Sequence, residues 1–99
     1  MARELYRLSG VSGYVMNVQA DLMSMLATVV VVPLLPVEDV ATLMARLNPV
    51  FEIDGKRYAM ATQAIGAVPR GELGASVGKI EGDKHYVITQ ALDMLLTGF

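Results

Sequence analysis

His85 is the only histidine in this sequence, and it stands without an obvious partner for proton transfer or metal binding. A catalytic zinc ion takes three protein ligands, mostly histidine, cysteine and carboxylate. The chain has one histidine and no cysteine, which argues against such a site, and His85 reads as a surface residue in a first helical turn. Glu52 and Asp54 are spaced to share a metal or a proton. An acidic residue beside Gly55 is, however, what a tight hairpin turn uses. Gly71, Gly74 and Gly78 lack the Gly-Lys-Ser/Thr step of a phosphate loop. No serine, threonine or lysine has an activating neighbour in sequence. These residues predict no catalytic group, no metal site and no cofactor, so the chain reads as a protein that is not an enzyme.

Composition narrows the partners. A chain of 99 residues fits one domain over 1–99, and 54% apolar residues provide a core. A chain this short buries more surface by pairing with a second copy. The absence of cysteine suits a reducing compartment, and no cationic segment leads into an apolar run with a cleavage site. The longest uncharged stretch, 22–37, is interrupted by Pro33 and Pro36 and is too short for a membrane span. The expectation is a cytoplasmic protein with no membrane contact. Net charge is -2. The local basic pairs, Arg3 with Arg7 and Lys56 with Arg57, have acidic neighbours, so direct nucleic-acid binding is not expected.

Several strands must carry whatever surface does the work. Residues 5–9 and 14–19 read as strands around a turn with Gly10 and Gly13. In the second, Tyr14, Met16 and Val18 share one face, while Val15, Asn17 and Gln19 share the other. The β-branched run at 28–35 predicts a strand that reaches an edge or a bulge near Pro33, which lacks an amide hydrogen. Met23 and Met25, just before it, are open to two readings, as core filler or as adaptable interface residues. Val37, Val40, Leu43, Met44 and Leu47 recur at helical spacing, which predicts a helix stopped by Asn48-Pro49. Residues 50–53 and 56–61 form a hairpin around Asp54-Gly55. The glycine-rich stretch 65–82 predicts turns and short extended pieces, with 71–82 the most mobile part.

The last element is a helix. Asp83 is placed to cap it, Val87, Ile88, Ala91, Leu92, Leu95 and Leu96 give it a wide apolar arc, and Gly98 sits where a C-terminal cap is usual. Phe99 follows a flexible glycine. It reads equally as a cap folded over the core or as an aromatic anchor for a partner.

In order and spacing, a series of short pieces resembles the CcdB family. They are Tyr14-Val15-Met16-Asn17-Val18-Gln19-Ala20-Asp21-Leu22, Val30-Val31-Val32-Pro33-Leu34, Asn48-Pro49-Val50 leading to Ile53-Asp54-Gly55, Ala67-Val68-Pro69, and Ala91-Leu92-Asp93 to Gly98-Phe99. This family is the toxin half of toxin–antitoxin pairs on plasmids and chromosomes. The resemblance implies a mainly β fold, an SH3-like barrel of antiparallel strands with a small second sheet and a C-terminal helix. It implies a homodimer that binds the A subunit of DNA gyrase, traps the gyrase–DNA cleavage complex and is neutralised by a CcdA-like antitoxin. Carried over by position, gyrase contacts fall on Leu22, Met23, Asp93, Leu96, Thr97, Gly98 and Phe99. Antitoxin contacts fall on Val50, Glu52, Lys56, Tyr58 and Met60.

Two departures stand out. A plasmid member has tryptophan directly before the final glycine, where this chain has Thr97, and loss of an indole removes a typical hot spot. The helical spacing at 37–47 also conflicts with the strand-and-loop character that the family implies there. Two other functions stay open: a ribonuclease toxin on a similar barrel, and a family member that keeps the fold and antitoxin binding without toxicity.

Overall fold

A computed structural model describes residues 3–98. Phe99, and with it the choice between core cap and partner anchor, lies outside the described residues. Seven strands, β1 (Arg3–Tyr6), β2 (Tyr14–Asn17), β3 (Thr28–Pro36), β4 (Val50–Ile53), β5 (Lys56–Met60), β6 (Gly66–Pro69) and β7 (Gly78–Ile80), precede one helix, α1 (His85–Thr97). All strand pairs are antiparallel, in the order β4-β5-β3-β2-β1-β7, with β6 also on β3. The result is a half-barrel closed on one face by α1, the mainly β architecture with a C-terminal helix that the sequence implies. The smaller β4–β5 sheet is continuous with the rest, because Leu34, Leu35 and Pro36 of β3 pair with Met60, Ala59 and Tyr58.

β3 organises the sheet. Its N-terminal half pairs with β6 from Thr28 to Val31, and its C-terminal end pairs with β5. Pro33 lies at the changeover. Its carbonyl accepts from the Ala61 amide at 2.8 Å, so its missing donor faces the gap between β6 and β5, where no ladder bond is lost. That is how a proline sits inside a nine-residue strand.

Alternation along β2 feeds two cores. Tyr14 and Met16 join Leu5, Val32, Leu34, Met60, Ile88 and Ala91 under the helix. Val15 joins Val29, Val31 and Leu73 on the opposite face. Burying a side chain such as Ile88, which is fully enclosed, contributes about 1.5–3 kcal/mol. Leu73 ties the glycine-rich segment to the second core, and β7 ties it to β1. Two turns carry strict glycine demands. Asp54 and Gly55 take φ of 52° and 80°, as the two-residue hairpin turn requires. A Cβ on Gly13 would stand 1.9 Å from the Leu34 carbonyl oxygen.

Two sequence-based expectations change. The helix over 37–47 is absent: a single 3-10 turn, Val37–Asp39, leads into an irregular loop. The cause is Asn48, which is buried and holds the loop end from both directions. Its side-chain oxygen accepts from the Met44 amide at 3.1 Å, and its amide donates to the Met60 carbonyl at 3.0 Å and to Gln63 Oε1 at 2.8 Å. Leu43 and Met44 stay exposed, so the helical spacing has no surface to pack on. Asp83 does not cap α1. It lies within the 3-10 turn Gly82–Lys84, and the capping position is Lys84, without a side-chain bond.

Candidate functional site

The C-terminal end of α1 presents the first group of sequence-derived residues. Ile88 and Ala91 are buried and Val87 and Leu92 pack beside them, which turns Asp93, Leu96 and Thr97 outward. Leu96 is 72% exposed. Thr97 Oγ1 donates to the Asp93 carbonyl at 2.7 Å, so its hydroxyl is engaged with the helix. Gly98 ends the helix at φ 82°, and its amide donates to the Met94 carbonyl at 3.1 Å. This left-handed cap is the conformation that favours glycine.

Leu22 and Met23 sit elsewhere, in the 3-10 turn Asp21–Met23 between β2 and β3. Leu22 is 85% and Met25 94% exposed, with Met23 and Leu26 about half so. This decides the methionines' open reading against core filler. An apolar turn held in water needs polar restraints, and two side chains provide them. Gln19 Nε2 donates to the Met23 carbonyl at 3.0 Å and to the Thr28 carbonyl at 3.3 Å, while its Oε1 accepts from the Val30 amide at 3.2 Å. From the other side, the Arg70 amide donates to the Ala27 carbonyl at 2.8 Å and Arg70 Nε to the Leu26 carbonyl at 2.9 Å. Sequence reasoning missed both residues as functional. Gln19 had one signal, a polar side chain at the strand exit, whereas Arg70 acts across 44 positions and left none. The helix lies over the core formed by Leu5, Met16, Val32 and Leu34 and also touches the turns Thr62–Ala64 and Gly82–Lys84.

The antitoxin set divides by burial. Glu52 and Lys56 are exposed and Val50 is half-buried. Tyr58 and Met60 are corrected: both point into the core under α1, where Tyr58 meets Tyr14 edge-on at 5.2 Å between ring centres. They support the hairpin from behind and offer no contact surface. Arg7 lies 4.0 Å above the Tyr14 ring, and its Nη1 donates to the Gly13 carbonyl at 2.7 Å. Burial raises the Tyr14 pKa, and Arg7 opposes that rise.

His85 is half-buried rather than a free surface residue. Its Nε2 lies 3.2 Å from the Ile80 carbonyl oxygen, which can only accept, so Nε2 carries the hydrogen there. Among the described residues, no group of three or more histidine or acidic side chains is placed to hold a metal ion. No helix among them is long and apolar enough to cross a membrane.

The family model described as "CcdB protein" matches residues 4–98. No curated relative matches the sequence. Among solved structures, the fold is similar to an endoribonuclease in complex with its cognate antitoxin from a mycobacterial species. That similarity has TM-score 0.75 and 16% identity, covering 96% of this chain and 90% of the other. It is also similar to the Mycobacterium tuberculosis toxin MazF-mt6, with TM-score 0.75, 11% identity, and coverage of 96% and 95%. A further Mtb toxin gives TM-score 0.73 at 11% identity, covering 93% and 99%. At these identities the shared property is the fold. These neighbours overturn the expectation that the chain is not an enzyme. The same half-barrel and helix carry endoribonuclease chemistry in a protein this chain is similar to. The physical fault in the expectation is that it looked for activating neighbours along the sequence, whereas folding assembles such groups from distant strands.

Proposed function

The chain belongs to the CcdB family, the toxin half of toxin–antitoxin pairs, and on that footing we propose that it binds the A subunit of DNA gyrase through the C-terminal end of α1. The observation that supports this reading is Leu96, 72% exposed at the end of a helix whose opposite side is fully packed. A large apolar side chain carried on an already helical backbone loses less ordering entropy on binding than one on an unstructured segment. A ligand that binds the cleaved gyrase–DNA state more tightly than the resealed one shifts the enzyme toward cleavage, which is how such a contact poisons it. The chain acts as a single-domain homodimer, so that two helix ends face a two-fold partner. A CcdA-like antitoxin neutralises it through the exposed hairpin residues Glu52 and Lys56, with Val50 beside them.

RNA cleavage is the second reading, favoured by the endoribonuclease among the fold neighbours. A third, fold and antitoxin binding without toxicity, rests on Thr97 standing where a plasmid member has tryptophan. Induction in a gyrase-dependent bacterium separates the three. Growth arrest with gyrase–DNA cleavage complexes supports the first. Arrest with intact DNA and cut transcripts overturns it for the second, and normal growth despite folded protein overturns it for the third.

A further inference from the structure

The sheet stops short of closing on itself. β4 and β7 stand at its two ends, and among the described residues neither has a partner strand on its outer edge. Both edges border one cavity of about 300 Å³, lined by residues 51–54 on one side and 77–81 on the other. The buried side chains of Leu5, Phe51 and Ile80 give it an apolar floor. An open edge leaves main-chain N–H and C=O groups unpaired, and the partner that satisfies them in sequence is another extended chain. Which groups β4 offers follows from its ladder with β5. The Met60 amide donates to the Pro49 carbonyl at 2.9 Å, which makes these two a bonded pair. Bonded and non-bonded pairs alternate along an antiparallel ladder, so Phe51 and Ile53 direct their main-chain groups to Tyr58 and Lys56. Glu52, opposite Arg57, turns its N–H and C=O away from β5, and it lies at the cavity.

We propose that this seam binds an extended segment of a protein partner, paired antiparallel to β4 through the Glu52 main chain, with an apolar side chain in the cavity. Five antiparallel pairings separate β4 from β7, so the two strands run in opposite directions. One added strand cannot be antiparallel to both; its ladder partner is β4, and β7 is the far wall. Residues directly opposite each other share a face of the sheet. Glu52 is exposed while Phe51 and Ile53 turn toward the core, so the residue facing Glu52 points to water and its neighbours point into the cavity. The rim sets Glu52 and Asp54 against Lys79 and Lys84, with Glu81 beside them. That near-balance of charge favours an uncharged outward residue. The matching ligand is therefore a strand-forming segment that alternates apolar with uncharged polar residues. The pairing uses main chain rather than the Glu52 and Lys56 side chains of the antitoxin surface, and it holds whether gyrase or RNA is the target.

The probe is a capped Thr-Val-Thr-Val-Thr peptide, titrated into the full-length protein with amide hydrogen exchange read residue by residue. At saturation the Glu52 amide should exchange at least about ten-fold more slowly, while Phe51 and Ile53, already bonded to β5, keep their rates. N-methylation of the peptide's threonines removes the donors to the Glu52 carbonyl and should abolish binding. Thr-Ser-Thr-Ser-Thr should bind at least about ten-fold more weakly, since it leaves the apolar floor uncovered. No slowing at Glu52 up to millimolar peptide, or equal slowing across 50–53, overturns the pairing. Binding kept by the N-methylated peptide overturns it in favour of side-chain contact alone. Slowing at Glu52 that grows with protein concentration in the absence of peptide overturns the foreign segment in favour of a second copy of this chain.

Discussion

Replacing Gln19 with alanine tests whether the apolar turn is held by the clamp described above. The substitution removes three hydrogen bonds, to the Met23 carbonyl at 3.0 Å, the Thr28 carbonyl at 3.3 Å and the Val30 amide at 3.2 Å. A typical bond contributes about 0.5–1.5 kcal/mol net. Water can replace the exposed donations to Met23 and Thr28, so these fall at the low end. The part-buried Val30 amide loses its acceptor and costs more, about 1–2 kcal/mol, since an unmade bond leaves its desolvation uncompensated. The sum is about 2 kcal/mol of local stability, or a roughly 30-fold rise in the opening equilibrium of the turn. Amide hydrogen exchange reads this directly: Val30 protection should fall by about that factor while Met16 and Val32 in the core keep theirs. Gln19→Glu separates the contributions, because it keeps the acceptor for Val30 and sets a negative charge against two carbonyl oxygens. Unchanged Val30 protection in Gln19→Ala would refute the clamp, as would a uniform loss across the sheet.

Gly13→Ala should destabilise the protein by about 3 kcal/mol or more, because its Cβ meets the Leu34 main-chain oxygen at 1.9 Å and two strands must separate; urea denaturation checks it. Asn48→Ala strips acceptor or donor from the Met44 amide, the Met60 carbonyl and Gln63, and should cost about 2–3 kcal/mol with selective proteolytic opening of the 40–47 loop. Leu96→Ser should leave Tm nearly unchanged and reduce growth arrest on induction; full toxicity would exclude the helix end as an anchor. The Tyr14 pKa is raised above the ordinary 10.0, first by burial, with Arg7 opposing. The folded state therefore favours the protonated phenol: its stabilisation is complete below pH 10 and is lost as pH rises through the higher folded value. Alkaline absorbance titration should find one tyrosine ionising late, together with unfolding, and Tyr14→Phe should remove it.

Local physics made much of this protein legible in one dimension. The β-branched run of β3, the Asp54-Gly55 turn, the alternation of β2 and the apolar arc of α1 each state their conformation through neighbours one to four residues apart. Leu96 could not be read the same way: it belongs to the apolar arc of the helix, yet it stays in water because nothing among the described residues packs on the last turn. The spacing over 37–47 misled for the complementary reason. Helical periodicity records what could be buried, and here Asn48 fixes the loop through partners up to 15 positions away. Tyr58 and Met60 face the core because β5 is covered by a helix that arrives 25 residues later in the chain. Arg70 restraining the apolar turn from 44 residues away, and the Arg3 Nε and Nη1 buried without an acceptor among the described residues, exist only once the strands have assembled. Sequence alone determined most of the strands, the C-terminal helix and their apolar faces, but neither the 37–47 loop nor the helix cap. Tertiary structure decided which apolar residues stay in water and which charge stays out of it, because burial is a property of what packs on top.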